Sequence, residues 1–266
     1  MTSIRLAALL SAALMSGACF QMTTNVRVAA DGSGTIDHTL LVTKAALAQL
    51  RNFSALGGGR QGKGMDLTSE DQAREMARTL GPGVTYVSSE PLDTPLGEGR
   101  HSTYSFSDIS QVRISQQPKT DGLPVRPSVD PTGGDITCSM THEANGNAVL
   151  HIKLPEMNMP AGIGDTSGNP ALTQQLAMIR ALLAGARISI GVDPTGTLVK
   201  TNSPFVEGSH VTLLEVNLDE VLGSETALNR LQAAKSPEEL KAALADTPGL
   251  KIALEREVTI EFSPAR

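Results

Sequence analysis

Runs in which apolar and polar residues alternate recur along this 266-residue chain, and they constrain its fold more than any other feature. The clearest case is residues 23–43, where two such runs flank the turn sequence Asp31-Gly32-Ser33-Gly34. Because successive side chains of a strand point to opposite faces, a period of two places the apolar residues on one face. The pattern therefore predicts a β-hairpin over residues 23–43 with one buried face.

The same alternation predicts further strands. They cover residues 84–88, 101–106, 112–114, 136–142, 148–154, 187–192, 197–201, 211–217 and 258–262. We expect strand 84–88 to pair with strand 101–106, and strand 136–142 to form a hairpin with strand 148–154, because turn residues separate the members of the second pair.

Helices are expected between these strands. They cover residues 44–56, a segment capped by Thr68 or Ser69 that buries Ala73, Met76, Ala77 and Leu80, residues 170–184, and a segment that begins at Ser236-Pro237-Glu238-Glu239. Spacings of three and four residues put each apolar stripe on one helix face. The expected fold class is α+β: a mixed, mostly antiparallel sheet built from hairpins, with helices on one face.

One internal similarity relates two of the strand segments. Residues 26–36 align with residues 188–198 without a gap, with Asp31 and Asp193 at equivalent positions and Gly34 and Gly196 three residues later. Asp can accept hydrogen bonds from the backbone of its own turn, and Gly tolerates positive φ. Both segments are therefore predicted to be hairpin loops.

The first nineteen residues indicate export. Arg5 supplies a positive charge, residues 6–15 are apolar apart from Ser11, and no acidic residue precedes Asp31. A membrane-spanning helix needs about 20 apolar residues, so this shorter stretch has the length of a signal-peptide core. Residues 1–18 are therefore expected to be a signal peptide.

The residues Met15-Ser16-Gly17-Ala18-Cys19 resemble the lipobox of bacterial lipoprotein precursors, in which small residues precede an obligatory Cys. The resemblance implies signal cleavage after Ala18 and lipidation of Cys19. Ser16 stands where lipoboxes usually carry Leu, which leaves ordinary signal cleavage after Ala18 as the alternative. We expect residues 19–23 to form a lipid-anchored tether and residues 24–266 a single domain with loop insertions at 116–134 and 155–169. Two subdomains split at 116–134 are the alternative.

The sequence offers no catalytic, cofactor or metal site that survives inspection. The phosphate-loop spacing of residues 57–63 is followed by Gly64, where Ser or Thr is needed. Cys138 lies in a strand and is interpreted as a half-buried thiol that behaves as a small hydrophobe, with a reactive nucleophile near His142 or His151 as the alternative. His142 and His151 are interpreted as polar residues on a solvent-facing side of their strands, with a metal pair across the hairpin as the alternative. The net charge of −6, from 28 acidic and 22 basic residues, and the scarcity of aromatic residues argue against nucleic-acid binding.

One apolar block stands out as a possible contact surface for lipid or ligand. Its residues are Met157, Met159, Leu172, Leu176, Ile179 and Leu183. Methionine-rich apolar surface adapts to varied partners, so a mobile flap over residues 155–184 is one hypothesis. The other interpretation is a helix buried between the sheet and a loop.

The strand pair around Asp31-Gly32-Ser33-Gly34, and Lys200-Thr201-Asn202 ahead of Gly208 and Val211, resemble features of mycobacterial-type surface lipoprotein domains. That resemblance implies a surface lipoprotein and brings no catalytic residues. We therefore expect an exported, membrane-anchored protein, periplasmic or on the cell surface. It would act as a non-enzymatic binding module for an envelope protein or a lipid, of undetermined oligomeric state. A small extracytoplasmic hydrolase with a site hidden from sequence inspection is the alternative.

Overall fold

The computed structural model describes residues 20–44, 46–47, 69–115, 134–155, 185–234 and 236–265. Strands and short helices alternate along these segments. The strands are β1 (Phe20–Val28), β2 (Gly34–Thr43), β3 (Val84–Asp93), β4 (Gly97–Phe106), β5 (Arg113–Ile114), β6 (Ile136–His142), β7 (Ala148–Lys153), β8 (Arg187–Pro194), β9 (Gly196–Thr201), β10 (Val206–Glu207), β11 (His210–Asn217), β12 (Leu250–Ile252) and β13 (Glu257–Pro264).

The strands form two sheets. Sheet A has the order β10-β11-β8-β1-β2-β4-β3, with β12 paired to β11, and sheet B has the order β5-β6-β7-β13-β9. Strands β1 and β8 are parallel, whereas every other strand pair of the described segments is antiparallel. Sheet A is therefore mixed, with its one parallel pair at the centre.

The helices of the described segments are short. They are α1 (Glu70–Thr79), α2 (Leu218–Gly223), α3 (Glu225–Ala233) and α4 (Pro237–Ala245), with a 3-10 turn at Ile109–Gln111. Ser69 accepts a hydrogen bond from the Gln72 amide, and Ser236 does the same for Glu239, so both helices begin at the predicted N-caps. No helix within the described segments is both long and apolar enough to cross a bilayer.

The hydrophobic core joins the two sheets. Sheet A contributes Val26, Ile36, Tyr104, Ile190 and Val211, and sheet B contributes Ile136, Leu150, Ile152, Ile260 and Phe262. These side chains are at most 2% exposed. Burying a large aliphatic or aromatic side chain stabilises a fold by about 1.5–3 kcal/mol, so this shared core is the main force holding the sheets together. Helix α1 covers the β3–β4 end, where the Tyr104 hydroxyl donates to the Ala73 carbonyl over 3.0 Å.

The α+β class and its antiparallel hairpins are confirmed, with two sheets where one was expected. The turn at Asp31 is as predicted: the Ser33 amide donates to Asp31 Oδ1 over 2.9 Å, and Gly32 has a φ of 84°. Strand β1 begins at Phe20, so residues 20–23, which we had expected to form a tether, lie within the sheet.

The prediction that residues 188–198 form a hairpin is wrong. Strand β8 belongs to sheet A and β9 to sheet B, so the chain passes between the sheets at Thr195. The Thr195 amide donates to the Val28 carbonyl over 2.7 Å, and Gly196 packs directly on the Ser263 carbonyl. The similar turn residues thus serve a hairpin in one copy and a sheet-to-sheet crossing in the other.

Several predicted elements lie outside the described residues. They are the helix 170–184, most of the helix 44–56, and nearly all of the loop segments 116–134 and 155–169.

Candidate functional site

The residues expected to carry lipidation, cleavage and ligand contact lie outside the described segments, and these expectations remain predictions. They are Ala18, Cys19, Met157, Met159, Leu172, Leu176, Ile179 and Leu183. The structure does describe the residue that follows Cys19 in the chain.

Phe20 is the first residue of β1, and β1 is the middle strand of the seven-strand path through sheet A. Phe20 pairs with Val42 on one side, and Gln21 pairs with Arg187 on the other. We call this end of sheet A the anchor end and define it by Phe20, Lys44, Leu96, Arg187 and Asn217. The residue that follows Cys19 in the chain thus lies at the centre of one end of the larger sheet.

A row of polar side chains crosses the outer face of sheet A, the face turned away from the core. This polar row consists of His210, Asp193, Asn25, Asp37 and Thr103. Asn25 donates to Asp193 Oδ2 over 2.5 Å, and His210 Nδ1 lies 2.9 Å from Asp193 Oδ1. Thr103 donates to Asp37 Oδ1 over 3.0 Å, and Asn25 and Asp37 are register partners on neighbouring strands. The row spans five adjacent strands.

Gly191 gives the His210 ring its place in the row, because a Cβ atom at residue 191 would collide with that ring. Next to the row, His101 Nδ1 lies 2.9 Å from Thr39 Oγ1, and its Nε2 lies 3.8 Å from Asp37 Oδ1. The side-chain oxygen of Asn25 is buried and accepts no hydrogen bond from the described residues. A polar surface of this kind, with carboxylates, imidazoles and an amide, suits recognition of a hydrogen-bonding partner.

A second polar cluster lies on the outer face of sheet B. His151 Nδ1 is 2.7 Å from Glu257 Oε1, and His151 Nε2 is 3.1 Å from the Thr141 hydroxyl. The Thr141 hydroxyl, the His151 imidazole and the Glu257 carboxylate are thus linked in the order of a nucleophile, a base and an orienting acid. Sequence inspection missed this cluster, although the predicted hairpin already brought Thr141 and His151 onto one face.

The possible metal pair of His142 and His151 is wrong. His142 is the register partner of Ala148, so it shares a face with that buried residue, whereas His151 is the partner of Ser139 on the opposite face. His142 Nε2 donates to the Ala30 carbonyl over 2.8 Å. Among the described residues, no three His, Cys, Asp or Glu side chains are grouped so that they could hold a metal ion.

Cys138 has the environment of an inert thiol. It is a free cysteine of β6 that packs against the core. Burial raises the pKa of the Cys138 thiol to about 12, and the positive charge of Arg113 offsets only part of that rise. Since the thiolate is the reactive form, the interpretation of Cys138 as a small hydrophobe is consistent with its surroundings.

A shallow groove of about 350 Å³ lies between α4 and β12. Its lining is mostly apolar and is made by Phe205, Ile252, Leu254 and Ala242, with Lys241 and Glu255 at the rim. Those two rim residues form an ion pair of 3.0 Å, and Glu238 adds a further carboxylate to the lining. The groove contacts neither polar cluster.

Comparison with known proteins gives one distant match. No protein-family model matches the chain, and no curated protein does. Among solved structures, the NMR structure of the folded domain of LppM from Mycobacterium tuberculosis is similar, with 10% sequence identity and a TM-score of 0.33. That alignment covers 94% of this chain and 92% of the LppM chain.

Proposed function

We propose that this protein is an extracytoplasmic lipoprotein whose folded body is a non-enzymatic binding module of the cell envelope. The observation that carries the proposal is the export-type segment that ends at Ala18-Cys19, immediately ahead of the first strand of the domain. Two or three acyl chains on Cys19 contain dozens of CH₂ groups at about 0.8 kcal/mol each, which holds a protein on a membrane durably.

The polar row is the surface that we assign to partner recognition. It presents two carboxylates, an imidazole and an amide from separate strands of one rigid sheet, so its geometry is fixed before any partner arrives. Preorganised polar groups add specificity to an interface because they need no reordering on binding. The partner is an envelope protein or a lipid headgroup that offers hydrogen-bond donors.

The hydrolase alternative has one specific observation in its favour, the Thr141–His151–Glu257 cluster. Acyl transfer also requires a concave substrate site and donors for the developing oxyanion. The described groove lies elsewhere, between α4 and β12, and this cluster occupies the exposed outer face of a sheet. The binding module is therefore the better supported function.

Membrane fractionation of cells expressing the full chain or a Cys19→Ser variant tests the anchor. We expect the wild-type protein to sediment with membranes and to incorporate an alkyne analogue of palmitate, and the variant to do neither. Equal membrane partition of the two proteins would contradict the proposal.

An ester-hydrolysis assay separates the two functions. With p-nitrophenyl acetate, a binding module gives a rate indistinguishable from buffer, and Thr141→Ala leaves that rate unchanged. A wild-type activity that falls at least about tenfold in both Thr141→Ala and His151→Asn would instead establish the hydrolase.

A further inference from the structure

We propose that the anchor end of sheet A lies directly on the bilayer and that Leu96 inserts at the boundary between headgroups and acyl chains. The inference rests on the proposed acylation of Cys19 and adds to it an orientation and a contact residue. It follows from where the strands begin, from what is exposed at that end, and from the charges around it.

No flexible linker separates the proposed acylation site from the first strand of the domain. Consecutive Cα atoms are about 3.8 Å apart, so an acylated residue 19 lies within one residue of the first strand. Phe20 is already held in β1 through its pairing with Val42, and Gln21 is held between Leu41 and Arg187. The first residues of β1 are paired with both neighbouring strands. The acyl chains therefore leave the domain at the end of the sheet, and the strands extend from the membrane surface into the solvent.

Leu96 is the most exposed large hydrophobic side chain that the described residues place at this end. It lies in the turn between β3 and β4 and is 62% exposed, more than any other large hydrophobic side chain of the described segments. The Lys44 amide donates to the Leu96 carbonyl over 3.2 Å, which ties the turn to the end of β2. The Thr94 amide donates to the Gly97 carbonyl over 2.9 Å and closes the same turn. Leu96 is thus presented on a fixed turn near the point where the acyl chains emerge.

The charges at the anchor end point to an apolar contact. Lys44 and Arg187 are exposed there, but Asp93 lies 3.5 Å from Lys44, and Asp219 and Glu220 follow β11 at the same end. Since basic and acidic groups are both present, attraction to anionic lipid is not the main contribution. Insertion of Leu96 should therefore proceed on neutral and anionic bilayers alike.

Depth-dependent quenching tests the orientation. The full acylated protein, with Cys138→Ser to remove the native thiol, is extracted and reconstituted into phosphatidylcholine vesicles that contain brominated lipid. A bimane probe is placed on Leu96→Cys or, as the matched control, on Ser209→Cys. Ser209 is exposed at the other end of β11, roughly 25 Å away at about 3.3 Å per strand residue. We expect quenching at residue 96 to exceed that at residue 209 by at least about threefold, since the interfacial zone is only about 5–10 Å deep.

The outcomes separate the orientation from the anchor. If the protein does not float with the vesicles, the proposed acylation fails. If it floats but the two probes are quenched equally, or residue 209 more than residue 96, the anchor stands and the orientation is wrong. Repeating the measurement with phosphatidylglycerol vesicles should leave the ratio unchanged, and a ratio that appears only with anionic lipid would overturn the role given to Leu96.

Discussion

Replacement of His38 by glutamine tests whether the core-facing side of sheet A buries a neutral imidazole. His38 is buried on the core-facing side of β2, and its Nδ1 lies 2.9 Å from the Thr24 hydroxyl. Burial lowers the pKa of the His38 imidazole from its usual 6.5 to about 4, and the nearby His101 contributes further in the same direction. The folded protein therefore keeps His38 neutral at pH values where the unfolded chain protonates it.

The sign and size of the effect follow from proton linkage. Because the unfolded state binds the extra proton, protonation of His38 does not lower the stability above pH 6.5. The protein loses stability through this group as the pH falls from 6.5 towards 4. At pH 5 the solution is about 1.5 pH units below the pKa of His38 in the unfolded chain, and each unit changes the free energy of unfolding by about 1.36 kcal/mol. His38 alone should thus make unfolding easier by about 2 kcal/mol at pH 5 than at pH 7.

Urea denaturation of the mature chain carrying Cys19→Ser, with and without His38→Gln, measures this effect at pH 7 and pH 5. The variant lacks the titrating ring. As the pH falls from 7 to 5, the free energy of unfolding of the variant should therefore rise by about 2 kcal/mol relative to that of the protein with His38. All other ionisable groups are common to both proteins and cancel in the comparison. A gap that stays constant within about 0.5 kcal/mol would refute the burial of a neutral imidazole at this position.

Two further predictions concern packing and reactivity. Gly191→Ala should destabilise the protein by about 0.5–1.5 kcal/mol, because its Cβ displaces the His210 ring from its hydrogen bond with Asp193, while Gly134→Ala, with open space around it, should cost less than about 0.5 kcal/mol. Similar thermal unfolding of both variants would contradict the packing described. Cys138 should react with Ellman's reagent at pH 8 at least about a hundredfold more slowly in the native protein than in concentrated urea, since burial raises its pKa to about 12. Equal rates would mean that the thiol is accessible.

Local patterns predicted the local structure. The hairpin at Asp31, the N-caps Ser69 and Ser236, and the β6–β7 pair depend on turn and capping chemistry between residues close in sequence. Such interactions leave a direct trace in residue type and spacing.

The order of the strands and the pairing of distant strands could not be predicted from local patterns. The parallel pairing of β1 with β8 joins residues more than 160 positions apart, and the same turn residues were compatible with a hairpin or with a crossing between sheets. The polar row needs residues from five strands, so it depends on the strand order, which alternation alone does not determine. His142 and His151 illustrate a smaller miss, since applying the face rule to the predicted hairpin would have separated them.

The intact mass of the protein extracted from membranes tests the central claim most directly. The account predicts a 248-residue chain that begins at Cys19, heavier than its amino-acid mass by a diacylglyceryl group, with or without a further amide-linked acyl chain. A chain that begins at Cys19 without added mass, or one that retains residues 1–18, would contradict it.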